Sequence, residues 1–422
     1  MNRFWYSAML YLAFPLIILY LTIRAVKSPD YRVRWKERFG FAPLKTTDVL
    51  VHTASMGETI AALPLIRKIL ASAPDIKVTI TTTSPTGSAQ VIKAFGDKVQ
   101  HVYLPVDISY CIKRFLRQLQ PKKVVILETE LWPNLLHFAK QYGAKTFISN
   151  ARLSEKSAVN YQKWPKLTKS ILTSIDIIAV QTEVEQRRFI ELGFDASNIH
   201  VSGSLKFDVT VNEELIERGQ KLRTEWQKQS APVWIASSVH PGEFAQILAA
   251  HQQLLVHHPD ALLIMVPRHP EKFELAAEKT QSSGLVMSRR SAGDHVDANT
   301  QVLLGDTMGE MMLFYATADQ AYIGGSMIEH GGQNPLEAAA VGLALVMGES
   351  RYNFTDICQL LTDSGAMVEC SDGKTLSTHL NDGFTDPQLL KQRQNQAQSV
   401  VLANKGAVEK QFTLFRTYLR AD

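Results

Sequence analysis

Three turns in the first half of the chain carry residues able to do acid–base work. The first is Ser55-Met-Gly-Glu58, which follows an apolar strand-like run and opens a helical stretch at Thr59. A carboxylate at the carboxyl end of a strand suits a general base, and Gly57 permits close backbone approach beside it. The helix start that follows favours anions. The same spacing also reads as a capping box, with Glu58 reaching back to the Ser55 N–H. The second turn is Leu127-Glu-Thr-Glu-Leu-Trp-Pro133. Glu128 and Glu130 end an apolar strand, and alternation puts both on one side with Thr129 opposite. Carboxylates against a hydrophobic strand need partners. The plain alternative is a charge favouring the dipole of the next helix. The third turn is Gly203-Ser-Leu-Lys206-Phe-Asp208. Lys206 there could bind a phosphate or carboxylate, although most lysines are simply solvated.

The second half offers groups suited to anions. Pro267-Arg268-His269-Pro270-Glu271 puts an arginine after a strand, a place for bidentate phosphate or carboxylate binding. His269 has no second histidine at ligand spacing, so it reads as structural or as a hydrogen-bond donor. Gly305-Asp-Thr-Met308-Gly309-Glu310 is another strand-to-helix turn. The densest element runs from Tyr322-Ile-Gly-Gly-Ser326 through Glu329-His-Gly-Gly-Gln-Asn334-Pro335-Leu336-Glu337 to Ala340. Asn334 reads as an N-cap with Pro335 at the first helical position, and the bare N–H groups there read as a phosphate seat. Glu337 either completes the cap or turns outward to a ribose. The chain has no G-x-G-x-x-G and no G-x-x-x-x-G-K-[ST] motif. It has no Asp-x-Asp pair and no His/Cys cluster, so no catalytic metal is indicated. No basic stripe interleaved with aromatics points to nucleic acid.

These turns need a scaffold that presents strand ends. Strand-like runs fall at 49–53, 78–82, 99–104, 124–128, 146–150, 175–181 and 199–203, with helical stretches between most of them. After a charged, strand-free stretch at 212–230 the rhythm restarts, with runs at 233–237, 262–266, 286–288, 302–304, 320–323, 343–347 and 367–369. Largely apolar strands with intervening helices predict parallel sheets covered on both faces. The class is α/β, with two doubly wound, Rossmann-like domains facing each other and ligands beyond the carboxyl ends of the strands.

The 422 residues, 45% hydrophobic and 20% charged, exclude collagen-like and wholly disordered classes. Cys111, Cys358 and Cys370 are scattered, which excludes a disulfide scaffold and fits a reducing compartment. Residues 1–210 carry 28 Lys and Arg against 16 Asp and Glu, while residues 211–422 carry 17 against 25. The +12 half points to an anionic partner. Phe4 to Ile23 is a twenty-residue uncharged apolar run, the length a membrane-spanning helix needs. Pro15 would kink it and favour a shallow, re-entrant insertion. Arg3 precedes the run, and Arg24, Lys27, Arg32, Arg34, Lys36 and Arg38 follow it. That order argues for a signal-anchor over a cleaved signal peptide, with the body of the protein in the cytoplasm.

Read together, the sequence resembles the Kdo transferases, which move 3-deoxy-D-manno-octulosonic acid (Kdo) from CMP-Kdo to a lipid A precursor. The matching stretches are Tyr31 to Gly40, His52 to Thr59, Glu128 to Asn134, Asn150 to Ser154, Gly203 to Asp208, Pro267 to Glu271, Gly305 to Glu310 and Gly324 to Ala340. Where the family commonly has a valine this chain has Met56. The resemblance implies a GT-B glycosyltransferase of lipopolysaccharide core biosynthesis, inverting and metal-independent, with no cofactor. It implies Glu58 as proton acceptor, and Glu128 and Lys206 as transition-state stabilisers. Pro267, Arg268, Met308, Gly309, Glu310, Asn334, Pro335, Leu336 and Glu337 would be CMP-binding. The expected organisation is a membrane anchor at 1–25, an acceptor domain at 26–210 and a linker at 211–230. A donor domain at 231–400 and a C-terminal helix at 401–422, packed back on the first domain, complete it. The phosphorylated lipid A precursor lipid IVA is the expected acceptor and the inner membrane the expected site, with the catalytic body on its cytoplasmic side. The alternatives are a membrane-associated GT-B transferase using a UDP-sugar and a lipid-linked acceptor, a sugar-nucleotide epimerase, and a non-catalytic nucleotide-binding adaptor.

Overall fold

In the computed structural model, which describes residues 1–418, the apolar runs form two seven-stranded parallel sheets. The first contains β1 (Val49–His52), β2 (Val78–Thr82), β3 (Gln100–Tyr103), β4 (Lys123–Leu127), β5 (Lys145–Ala151), β6 (Ile177–Val180) and β7 (Ile199–Val201), in the order β3-β2-β1-β4-β5-β6-β7. The second contains β8 (Val233–Val239), β9 (Leu262–Pro267), β10 (Met287–Arg289), β11 (Val302–Leu304), β12 (Gln320–Ile323), β13 (Ala344–Met347) and β14 (Met367–Glu369), in the order β10-β11-β9-β8-β12-β13-β14. The order reverses between β1 and β4 in one sheet and between β8 and β12 in the other. Crevices at such switch points are where doubly wound sheets bind ligands.

Successive strand residues point to opposite faces, and both faces are covered. In the first sheet Leu50, Val124 and Ile126 pack with Ile112, Phe115 and Leu116 on one side. Val51, Val125 and Phe147 pack with Ile66, Ile69 and Phe415 on the other. Phe115 and Phe147 are fully buried, so truncating either to alanine costs about 3–5 kcal/mol. In the second sheet Trp234 is fully buried, and its indole N–H donates to His251 Nδ1 at 3.1 Å. The three cysteines are buried and free.

Chain contacts define two units, Met1–Asp208 with the segment from Lys405, and Val209–Asn404. The charged stretch expected as a linker is instead part of the second unit. Its helix Glu213–Glu225 is tied there by an Arg223–Asp319 ion pair at 2.7 Å. Lys228, almost fully buried, donates to the Asp260 and Ala298 carbonyls at 2.8 Å each. Arg223 and Lys228 serve as struts, which a charge count cannot distinguish from a solvated linker. The C-terminal helix Ala407–Tyr418 belongs to the first unit. Of the expected 401–422 helix, residues 401–404 instead end the helix Pro387–Asn404 of the second unit, and residues 419–422 lie outside the described residues.

The apolar N-terminus is not one straight helix. It is a pair, Arg3–Leu12 and Phe14–Lys27, bent by 57°. Pro15 sits in the first turn of the second helix, where its missing N–H costs nothing. Among the described residues no single helix is long and apolar enough to cross a membrane, although the bent pair has the length and composition together. The first helix is polar on its inner side. Tyr6 donates to the buried Asp107 carboxylate at 3.0 Å, and Ser7 and Arg3 donate to Asn134 Oδ1 at 3.0 and 3.2 Å. Its outer side leaves Phe4, Trp5 and Leu12 exposed.

Candidate functional site

The first unit's switch point is built by the turns after β1, β4 and β7. Glu58 lies in the first turn of the helix Met56–Ala71, and Ser55 Oγ accepts its N–H at 3.3 Å. The Glu58 carboxylate accepts from the Ala54 N–H at 2.8 Å and the Ser55 hydroxyl at 2.9 Å. The reach-back therefore goes to Ala54 rather than to the Ser55 N–H that the spacing suggested. Burial pushes the Glu58 carboxyl up to about 7, against these hydrogen bonds, and the negative charges of Glu128 and Glu130 add to the rise. A carboxyl titrating there is matched to general-base work near neutral pH.

β4 stops at Leu127, so strand alternation does not reach Glu128 and Glu130. A turn carries them instead. Glu128 has φ 54°, a left-handed conformation costly for a side chain with a Cβ and concentrated at functional sites. Its Oε1 stands 3.3 Å from Lys206 Nζ. Glu130 accepts from the Trp132 indole N–H at 2.9 Å, and Thr129 turns away to the Arg152 carbonyl. Burial, joined by the charge of Glu128, raises the Glu130 carboxyl above its ordinary range.

Lys206 sits in the short 3-10 turn Leu205–Phe207. That turn is held by Asn150, fully buried with φ 55°, whose Oδ1 accepts the Leu205 N–H at 3.0 Å. Gln411 of the C-terminal helix, also fully buried, accepts from the Ser149 hydroxyl and the Asn150 N–H and donates to Ser202 Oγ. Asp208 accepts the Gly406 and Val408 N–H groups at 2.6 Å each. The site thus gathers Glu58, Glu128, Glu130 and Lys206, with Asn150 and Gln411 behind them. Nothing in the local sequence around Gln411 marks it, because its partners lie more than two hundred residues away.

The second unit's switch point is arranged differently. The glycine turn does not offer bare N–H groups. Glu243, fully buried, accepts from the N–H groups of Gly325, Ser326 and Met327 at 2.9, 3.1 and 3.3 Å, and from the Tyr322 hydroxyl at 2.6 Å. Sequence reading missed Glu243. Its one signal was a carboxylate just after a strand, in Val239-His-Pro-Gly-Glu243. Gly324 is required here, since a Cβ would come within 2.5 Å of the Ser238 carbonyl. The helix after the turn, Leu336–Val341, has six residues and is capped by Pro335, one position later than expected. Asn334 Oδ1 accepts the Leu336 N–H at 3.1 Å. The cap thus falls one position from the expected one, and the N–H groups that Glu243 takes lie upstream of this helix start.

Arg268 follows β9, and its N–H donates to the Val239 carbonyl at 2.9 Å. Burial raises the Glu337 carboxyl, and the charge of Arg268 opposes that rise. Met308, Gly309 and Glu310 follow β11, on the far side of β9 from the switch point. Met308 is 64% exposed and Gly309 has φ 92°. Glu310 pairs with Arg290 at 2.7 Å and accepts from the Thr307 hydroxyl, so its carboxyl lies below the ordinary range. Among the described residues no group of three or more His, Cys, Asp or Glu side chains is placed to hold a metal ion.

Two doubly wound parallel units in one chain place the protein in the GT-B fold class. A Rickettsia africae glycosyltransferase covers 90% of this chain with all of its own, at a TM-score of 0.54 and 13% identity. A UDP-GlcNAc 2-epimerase from Neisseria meningitidis, solved with UDP-GlcNAc bound, covers 87% with 99% of its own chain, at 0.58 and 14%. These likenesses are of fold alone. Residues 33–209 match the family model of 3-deoxy-D-manno-octulosonic-acid transferases, the kdotransferases. The 3-deoxy-D-manno-octulosonic acid transferase of Haemophilus influenzae is 38% identical over the full length of both chains, and that of Bordetella pertussis 32% identical over 96% of each. The chain belongs to the 3-deoxy-D-manno-octulosonic acid transferase family.

Proposed function

We propose that this chain transfers Kdo from CMP-Kdo to the phosphorylated lipid A precursor lipid IVA, with inversion and without a metal ion. The observation that carries the mechanism is the Glu58 carboxyl, raised to about 7 beside Glu128 and the Lys206 ammonium. Glu58 takes the proton of the acceptor hydroxyl as its oxygen bonds to the anomeric carbon of Kdo. The bond from that carbon to the CMP phosphate oxygen breaks, and CMP leaves with the electron pair. Lys206, steered by Glu128, stabilises negative charge in the transition state, Kdo's own carboxylate included.

The second unit holds the nucleotide in this reading. Pro267 and Arg268, Met308 to Glu310 and Asn334 to Glu337 are its contacts, with Arg268 the permanent charge for the phosphate. The bent N-terminal pair lies in the cytoplasmic face of the inner membrane. Its exposed Phe4, Trp5, Leu12 and Leu16 suit the acyl boundary, and exposed Arg24, Lys27, Arg32 and Lys36 suit anionic head groups.

The test is purified protein in detergent with tetraacylated lipid A precursor and either CMP-Kdo or a UDP-sugar, read by mass spectrometry. Kdo mass added from CMP-Kdo alone is the expected result. Hexose added from a UDP-sugar, with no Kdo product, would replace this reading with a UDP-sugar transferase.

A further inference from the structure

Three imidazoles lie beyond the strands of the second unit without a task in the scheme above. His240 follows β8, His269 follows Arg268, and His330 sits in the glycine-rich turn after β12. The His240 ring centroid is 5.5 Å from that of His269 and 4.7 Å from that of His330. His240 is 8% exposed, and its Nε2 is buried with no hydrogen-bond partner. A buried ring nitrogen left unpaired is destabilising and calls for a partner.

The position of His240 is imposed by the backbone. The register of β8 against β9 shifts between Ala236 and Val239, and Ser238 adopts φ 53°. Arg268 N–H fixes the Val239 carbonyl, and the His240 N–H donates to Glu243 Oε2 at 2.9 Å. Gly325 lies close against the ring, since a Cβ there would stand 3.5 Å from His240 Nε2. All of this falls at the β8–β12 switch point.

We propose that His240 receives the phosphate of the nucleotide donor, donating a hydrogen bond from Nε2 to a phosphate oxygen beside Arg268. The inference deepens the reading of the second unit as the donor unit and rests on it. Two facts select side chains, and an anion, for this place. The N–H groups of Gly325, Ser326 and Met327 are taken by Glu243, and those of Gly331, Gly332 and Gln333 by Ser350 Oγ and the Gly325 and Gly324 carbonyls, so an anion beside His240 must be met by side chains. The imidazoles also form no group able to hold a metal among the described residues.

The charges facing His240 predict a linked proton. Burial lowers its pKa, Glu243 opposes that, and His330, His269 and Arg268 lower it further. The ring is therefore neutral at pH 7 in the free protein. A phosphate against Nε2 favours the imidazolium, so nucleotide binding takes up part of a proton.

The experiment is titration calorimetry of the full-length protein with CMP, UDP and cytidine at pH 7, in two buffers of different ionisation heat. Wild type and His240→Gln are compared, with thermal unfolding as the check on folding. The expected result is proton uptake with the nucleotides and none with cytidine. Uptake is lost in His240→Gln, and nucleotide affinity falls roughly tenfold. A folded His240→Gln with wild-type affinity and unchanged uptake overturns the proposal. If only UDP binds but His240 still governs its uptake, the CMP-Kdo reading fails and this inference stands. Should His240→Gln not fold, histidine Hε1 resonances of the wild type are followed by NMR during CMP titration. A downfield shift of one buried histidine supports the proposal, and unmoved resonances at saturating CMP overturn it.

Discussion

The two switch points occupy equivalent places in two similar sheets and carry opposite chemistry. Beyond β1 and β4 stand three carboxylates, Glu58, Glu128 and Glu130, with Lys206 set against Glu128. Beyond β8, β9 and β12 stand Arg268 and three imidazoles, while Glu243 is folded inward to hold backbone N–H groups. The contrast runs against the charge of the two halves, since the acidic site lies in the half with a balance of +12. The fold supplies a place, and the turn residues decide whether carboxylates or cationic and imidazole groups gather there. Bulk charge instead describes other surfaces, such as the basic residues that follow the apolar N-terminus.

The comparison can be broken from either side. The largest expected effect is on the second unit. Glu243→Ala strands buried N–H groups and the Tyr322 hydroxyl, and it should lower unfolding free energy by about 3–5 kcal/mol in chemical denaturation. A loss under 1 kcal/mol would mean that water or a rearranged turn replaces Glu243 easily. Next is Lys206→Met, which removes the cation facing Glu128. It should reduce kcat by roughly 10²–10³-fold while CMP affinity stays within twofold, measured by steady-state turnover and calorimetry. A loss of CMP affinity in that variant would blur the division between the two sites.

Arg268→Lys should act on the other side alone. It trades a planar fork for a point charge and should raise the KM for the donor by roughly tenfold with little change in kcat. The smallest effect concerns pH. The rate constant kcat/KM should fall below about pH 7, because protonated Glu58 cannot accept a proton. Glu130→Gln removes a negative neighbour, so the Glu58 carboxyl should drop and the acid limb move to lower pH, by less than about one unit. An unmoved limb would assign it to another group.

Much of the fold was legible because parallel strands buried on both faces appear as apolar runs, and all fourteen expected runs coincide with strands. Glu58, Glu128, Lys206 and Arg268 were legible for a related reason, since each closely follows such a run. The missing parts are long-range or geometric. The left-handed backbone at Glu128 ends β4 early and defeats alternation. Gln411 reaches Ser149 and Asn150 from the far end of the chain, a pairing without local pattern. Glu243 holds the N–H groups of Gly325, Ser326 and Met327 from more than eighty residues upstream, again without a local pattern. The bend in the N-terminal pair was announced by Pro15, but its polar hold on Asp107 and Asn134 was not.

The central claim is a division of labour, with the proton handled in the first unit and the nucleotide in the second. The most direct test measures Kdo transfer and CMP affinity on one preparation of Glu58→Gln. Transfer should fall by roughly 10²–10⁴-fold while CMP binds as in the wild type. Undiminished transfer would return Glu58 to the role of a cap on its helix, and loss of CMP binding along with transfer would contradict the division itself.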